Sequence, residues 1–243
     1  MSSSFVFDQL ESTNAFLLDQ KGKVNTASYC LTEYQSQGKG RRGNTWVSSP
    51  NRNIMLSIAW TYPDWPEQLH AMSLAVGLVV AETLKELYSI DAQIKWPNDI
   101  LLNEDKLAGI LVELTGDASS ACHLVVGIGL NCHQPEWPEQ VDYKWTDLFS
   151  HGIKCDRNLL ASKLIGNTIM LLRNYPLSGF KPLAKHWNEL SSYAGKRIKV
   201  IHTDQQIVGR MLGVNENGEL VLQTDDGESV FISDSNVSIR LAG

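Results

Sequence analysis

Cysteine is scarce: Cys30, Cys122, Cys132 and Cys155 are the only four in 243 residues, and no two form a C-x-x-C pair. So few scattered thiols in a chain this long do not make a disulfide scaffold. Cys122-His123 and Cys132-His133 sit side by side, but neighbours on a strand face opposite ways, and the spacing is not that of a zinc site. No metal site is expected. Long apolar runs are missing too. The longest, residues 71–81, spans eleven residues and includes Ser73 and Gly77, whereas a membrane span needs about 18 to 20. The opening MSSSFVFDQL has no basic stretch followed by an apolar one, so no secretory signal is expected and the chain reads as cytoplasmic. Positive charge is in deficit, with 21 basic against 27 acidic side chains and a net charge of -6. That argues against a general nucleic-acid binder. No Gly-x-Ser-x-Gly elbow is present to supply a serine nucleophile.

What is present is an ordinary soluble composition, 43% hydrophobic and 20% charged, in a chain long enough to bury about 70% of its unfolded surface. Two textures divide it. Through residue 193, helical and strand patterns alternate. Ser12-Thr13-Asn14 offers N-cap oxygens to a short helix. Residues 27–32, 53–60, 94–96, 100–102, 108–114 and 124–130 read as strands. Residues 66–89 carry a wide apolar stripe at helical spacing, and 157–175 and 180–190 read as further helices. From residue 194 the pattern changes to short alternating runs separated by Asn217-Gly218 and Asp226-Gly227, the signature of a small β-barrel. The expected division is therefore 1–193 and 194–243.

Three segments carry chemistry. Between Tyr34 and Pro63 there is no acidic residue, while Lys39, Arg41, Arg42 and Arg52 are basic and Gly38, Gly40 and Gly43 interleave with them. Glycine amides and guanidinium forks suit a phosphate or a developing oxyanion. The stretch is not a Walker A loop, because Asn44-Thr45 stands where that motif has lysine. A solvated basic loop is the bland alternative. Next comes Lys95-Trp96-Pro97-Asn98-Asp99, followed by Lys106-x-x-Gly109, which places two lysines on otherwise apolar strands. Each could snorkel, and Gly109 could mark a bulge or a close ligand approach. Last is Gly127-Ile-Gly129-Leu-Asn131. It lacks the third glycine of a dinucleotide fingerprint, but Gly127 and Gly129 clear one strand face, for an aromatic neighbour or for a ligand.

In this order the segments resemble the biotin protein ligases. The resemblance runs from about residue 5 to 240 and rests on Glu11-Ser12-Thr13-Asn14, Gln35 with the glycine–arginine loop, Lys95-Trp-Pro-Asn-Asp99, Lys106-x-x-Gly109-Ile-Leu and Gly127-Ile-Gly-x-Asn131. It implies an α+β fold: a mixed-sheet catalytic domain similar to class II aminoacyl-tRNA synthetases, followed by an SH3-like barrel. It implies biotin and ATP as substrates, Mg²⁺, a biotinyl-5′-AMP intermediate, and the carrier domain of acetyl-CoA carboxylase as acceptor.

By the same resemblance, Ser12, Thr13, Asn14 and Gln35 meet the ureido ring, and Gly38, Lys39, Gly40, Arg41 and Arg42 meet phosphate. Trp46 stacks on the ligand, Lys106 holds carboxylate and phosphate, and Gly109 allows close approach. Asn131 lies beside adenine or ribose, and Asp99 orients or deprotonates the acceptor lysine. The family loop usually reads Gly-Arg-Gly-Arg-Arg-Gly-Arg, so Lys39 keeps a charge without the fork and Asn44 loses one. Ser12 lies too near the start for the N-terminal DNA-binding domain of many relatives, so a ligase without DNA binding is expected, monomeric or weakly dimeric. A lipoate–protein ligase is the nearest alternative, and a non-catalytic RNA-binding or assembly module the more distant one.

Overall fold

The computed structural model describes residues 3–23, 26–66, 68–116, 121–135, 144–202, 205–233 and 237–242. Its first sheet has seven strands: β1 (Ser4–Phe7), β2 (Ser28–Thr32), β3 (Ile54–Tyr62), β4 (Gln93–Lys95), β5 (Asp99–Leu102), β6 (Asp105–Thr115) and β7 (Cys122–Leu130). Their order is β1-β2-β3-β7-β6-β5-β4. β1 runs parallel to β2 and every other pairing is antiparallel, so the sheet is mixed.

Alternation along the central strands decides what each face does. Ile54, Leu56, Ile58 and Trp60 on β3, and Leu124, Val126, Ile128 and Leu130 on β7, point into the main core. There they meet α2 (Met72–Tyr88) and α3 (Arg157–Ser178). Each such side chain contributes about 1.5–3 kcal/mol by leaving water. The opposite face carries α1 (Thr13–Asp19) over a smaller cluster of Leu17, Cys30 and Val125. α1 starts where the sequence indicates, with the Ser12 hydroxyl accepting from the Ala15 amide at 3.4 Å. α3 is capped by Asp156, whose carboxylate accepts from the Asn158 and Leu159 amides at 2.9 and 3.1 Å. It runs through Pro176 near its end. No helix of the described residues is long and apolar enough to cross a membrane.

A second sheet holds β8 (Arg197–His202), β9 (Gln205–Val214), β10 (Leu220–Gln223), β11 (Ser229–Ile232) and β12 (Ser238–Leu241), ordered β11-β10-β9-β8-β12 and wholly antiparallel. The β9–β10 turn fastens it to the first unit. The Trp96 indole N–H donates to the Gly218 carbonyl at 3.2 Å. The Asn188 side chain, on α4 (Ala184–Glu189), both donates to and accepts from the Val214 backbone, at 2.9 and 2.7 Å. This docking brings β12 to the rim of the cavity described next. The sequence reading did not single out β1 or β12.

Candidate active site

The face of the first sheet that is not committed to the main core forms the floor of a cavity of about 930 Å³. Its register sets Ser57 opposite Gly127 opposite Leu111, and Met55 opposite Gly129 opposite Gly109. Both glycines of β7 turn out to make room for protein side chains. A Cβ on Gly129 would lie 2.5 Å from Cε2 of Trp46, and one on Gly109 would lie 3.0 Å from its Cζ3. A Cβ on Gly127 would collide with the Asn14 amide. Trp46 is thus laid flat across the cleared strip, 7% exposed, with Trp145 tilted against it at 5.3 Å between ring centroids.

The glycine–arginine segment folds into a small hairpin. The Trp46 amide donates to the Gly38 carbonyl at 2.9 Å and the Gly40 amide to the Asn44 carbonyl at 2.7 Å. Its tip turns through left-handed Arg42 (φ 58°) and Gly43 (φ 75°). The hairpin holds Lys39, Arg41 and Arg42 along the cavity wall, and the Arg41 guanidinium donates to Asn98 Oδ1 at 3.2 Å.

At one end the lining is polar and uncharged. Gln35 Oε1 accepts from the Thr13 amide at 2.8 Å and lies 3.1 Å from the Thr13 hydroxyl. Ser57, fully buried, reaches Thr13 Oγ1 at 2.7 Å and Asn14 Oδ1 at 2.5 Å. Asn14 in turn donates through Nδ2 to Glu113 at 2.7 Å.

Charge is gathered around Lys106. Its Nζ lies 2.7 Å from Asp99 Oδ1, with both side chains mostly buried. It also lies 5.3 and 5.7 Å from the ring centroids of Trp145 and Trp46, within cation–π reach. Lys95 lines the same cavity, 5.5 Å over the Tyr193 ring. Burial pushes its pKa down; Asp99 opposes that shift, while Lys106 and Arg240 add to it. Arg240 comes from β12, so the second sheet supplies part of the wall.

Residues 6–131 match the Biotin/lipoate A/B protein ligase family, and residues 193–240 match the Biotin protein ligase C terminal domain. The chain belongs to the biotin/lipoate A/B protein ligase family. It is 37% identical over 221 residues to the Bifunctional ligase/repressor BirA of Escherichia coli, covering 90% of this chain and 69% of that protein. To the Biotin--[acetyl-CoA-carboxylase] ligase of Mycobacterium tuberculosis it is 33% identical over 243 residues, covering 96% and 87%. Among solved structures, the biotin protein ligase of Aquifex aeolicus in complex with biotin and ATP superimposes with a TM-score of 0.88 at 27% identity, over 100% of both chains.

In this ligase Ser12, Thr13, Asn14, Gln35, Lys39, Gly40, Arg41, Arg42, Trp46, Asp99, Lys106 and Gly109 all line the one cavity. Asn131 and Gly38 do not. Asn131 is fully buried, and its Nδ2 donates to the Thr146 carbonyl at 3.1 Å. It braces the segment that carries Trp145, while its Oδ1 is buried without a hydrogen-bond partner among the described residues. Gly38 lies beneath the loop, where a Cβ would collide with the Trp46 carbonyl. Ser57, Glu113 and Tyr193 escaped the sequence reading. Ser57 sits inside an apolar strand pattern, and only its pairing across the sheet places it beneath Thr13.

Proposed function

We propose that this ligase joins biotin to a lysine of a carboxylase carrier domain in two steps. The biotin carboxylate oxygen attacks the α-phosphorus of ATP, the bond to the β-phosphate oxygen breaks, and pyrophosphate leaves. The acceptor amine then attacks the acyl carbon of biotinyl-5′-AMP, the bond to the phosphate oxygen breaks, and AMP departs. The observation that carries this reading is one cavity lined by two sets of groups, an uncharged polar end at Thr13 and Gln35 and cations at Arg41, Lys95 and Lys106. An acid with a polar ring fits the first and a polyphosphate the second.

Arg41 and Lys106 stabilise negative charge that builds on the phosphate oxygens. Groups fixed in a partly dry site do this without reorganising as the reaction proceeds. Lys106 is held at 2.7 Å by Asp99 before substrate arrives. When phosphate takes over that lysine, Asp99 is released to receive a proton from the acceptor amine, which must be neutral to attack. Mg²⁺ accompanying ATP would supply neutralisation of phosphate charge there. Among the described residues, three carboxylates line the cavity: Asp99, paired with Lys106, Glu104, 3.1 Å from Lys196, and Asp105.

Biotin is favoured over lipoate by the uncharged end. A dithiolane ring would leave the Gln35 NH₂ facing sulfur, and an unsatisfied buried polar group costs about 1–3 kcal/mol. The test is D99N followed through both half-reactions. Adenylate should form while transfer to the carrier lysine slows by at least about tenfold. Transfer at the wild-type rate would remove Asp99 from the second step.

A further inference from the structure

We infer that Glu113, outside the cavity, sets the hydrogen-bond polarity of the uncharged end and so acts as a positioning residue for the substrate ring. The inference rests on the reading that this end receives the ureido ring. Glu113 is not among the cavity's lining residues, and it reaches the site only through Asn14.

The argument is one of hydrogen accounting. An ionised carboxylate can only accept, so the Asn14 amide facing it must be the NH₂. That turns Asn14 Oδ1, which also can only accept, toward Ser57 at 2.5 Å. The single Ser57 hydroxyl hydrogen is therefore committed to Asn14. The 2.7 Å contact between Ser57 and Thr13 must then use the Thr13 hydrogen, unless that hydrogen turns to Gln35 Oε1 at 3.1 Å. In either arrangement the Thr13 hydrogen stays inside the protein, and Thr13 Oγ1 offers a ligand lone pairs alone. At the far end the Thr13 backbone N–H, a fixed donor, claims Gln35 Oε1 at 2.8 Å. The Gln35 NH₂ is left as a donor to the ligand.

The end thus presents one acceptor beside one donor, the complement of the N–H and C=O of a cyclic urea. Gly127 holds the relay in register, because a Cβ there would displace the Asn14 amide. Without Glu113, the Asn14 NH₂ keeps only the longer 3.4 Å contact to the Leu111 carbonyl, too weak to fix the orientation of the amide. Its NH₂ would then donate to Ser57, Ser57 would donate to Thr13, and the Thr13 hydrogen would be divided between Gln35 Oε1 at 3.1 Å and the ligand. The acceptor opposite the urea N–H would no longer be enforced, and a donor would compete with it.

The test measures ATP–pyrophosphate exchange for wild type, E113L, E113Q, S57A and T13V. Each is given biotin and the two cyclic carbamate analogues in which one ureido N–H is replaced by a ring oxygen. E113L should raise KM for biotin about tenfold or more, leave KM for ATP within about twofold, and narrow the preference for biotin over a carbamate. E113Q, whose carbonyl still accepts from Asn14, should stay near wild type. S57A should narrow the preference as E113L does, and it keeps the inference testable if E113L does not fold. E113L or S57A with an unchanged preference, while T13V has lost it, would overturn the relay alone. If T13V also leaves KM and preference unchanged, the ureido reading itself fails, and the relay with it.

Discussion

Replacing Gly129 with alanine sets a single methyl group against the floor of the site. The new Cβ would stand 2.5 Å from Cε2, 2.7 Å from Cζ2 and 2.9 Å from Nε1 of Trp46. Carbon–carbon contacts settle at about 3.5–4.0 Å, so the indole must withdraw by roughly 1 Å. Trp145 stands against it at 5.3 Å between centroids, and Lys106 Nζ lies 5.7 Å from its ring. Overpacking of this kind costs about 1–3 kcal/mol. In a chain of this length each kcal/mol lowers Tm by about 2–4 °C, so G129A should melt about 2–12 °C lower. The assay is thermal unfolding of G129A, W46F and the double variant. A phenyl ring withdraws from the crowded region, so W46F should recover about 1 kcal/mol or more of the G129A penalty. An unchanged Tm for G129A, or strictly additive losses in the double variant, would refute the placement of Trp46 on the glycine strip.

Three further outcomes follow from the same geometry. Lys106→Ala should lower kcat/KM for adenylate formation about 10²–10³-fold, measured by biotin-dependent pyrophosphate exchange. His186 lies between Glu189 and Glu82, which raise its pKa above the ordinary 6.5. A raised folded-state pKa adds stability that is fully present below the unfolded value and is lost as pH rises through the folded one. Wild type should therefore exceed H186Q by more at about pH 5.5 than at about pH 8.5, by under about 1 kcal/mol for so exposed a pair, in denaturant titrations at the two pH values. Thiol alkylation should be ordered. Burial pushes Cys30 up to about 12, whereas the Cys132 thiol and Arg157 draw Cys155 down. Peptide mapping after brief iodoacetamide treatment near neutral pH should find Cys155 modified well before Cys30.

Local signals made much of this molecule legible. Ser12 caps α1 because a short hydroxyl precedes an apolar helical run, and Met72–Tyr88 is a helix because its stripe is wide and uninterrupted. The glycine–arginine loop and the two lysines were visible as charges that an apolar strand pattern does not explain. What stayed hidden depends on pairing across the sheet. Gly129 and Trp46 lie far apart in sequence, so whether the cleared face receives an indole or a ligand could not be decided from spacing. Ser57 and Glu113 read as ordinary strand positions until register sets them behind Thr13 and Asn14. β12 is four residues long, too short for its alternation to stand out, yet it carries Arg240 to the cavity. Asn131, a polar residue ending a glycine strand, holds the Thr146 backbone through Nδ2 and leaves its Oδ1 without a partner among the described residues, a division that spacing could not show.

The most direct test of the central claim is ATP–pyrophosphate exchange with Mg²⁺ in the presence of biotin, of lipoate, or of neither acid. Exchange that requires biotin is the predicted result, since Thr13 and Gln35 demand a ring that can both accept and donate hydrogen bonds. Exchange supported by lipoate instead would contradict the assignment of the uncharged end. Silence with all three, from folded protein, would contradict adenylate chemistry at Arg41 and Lys106 altogether.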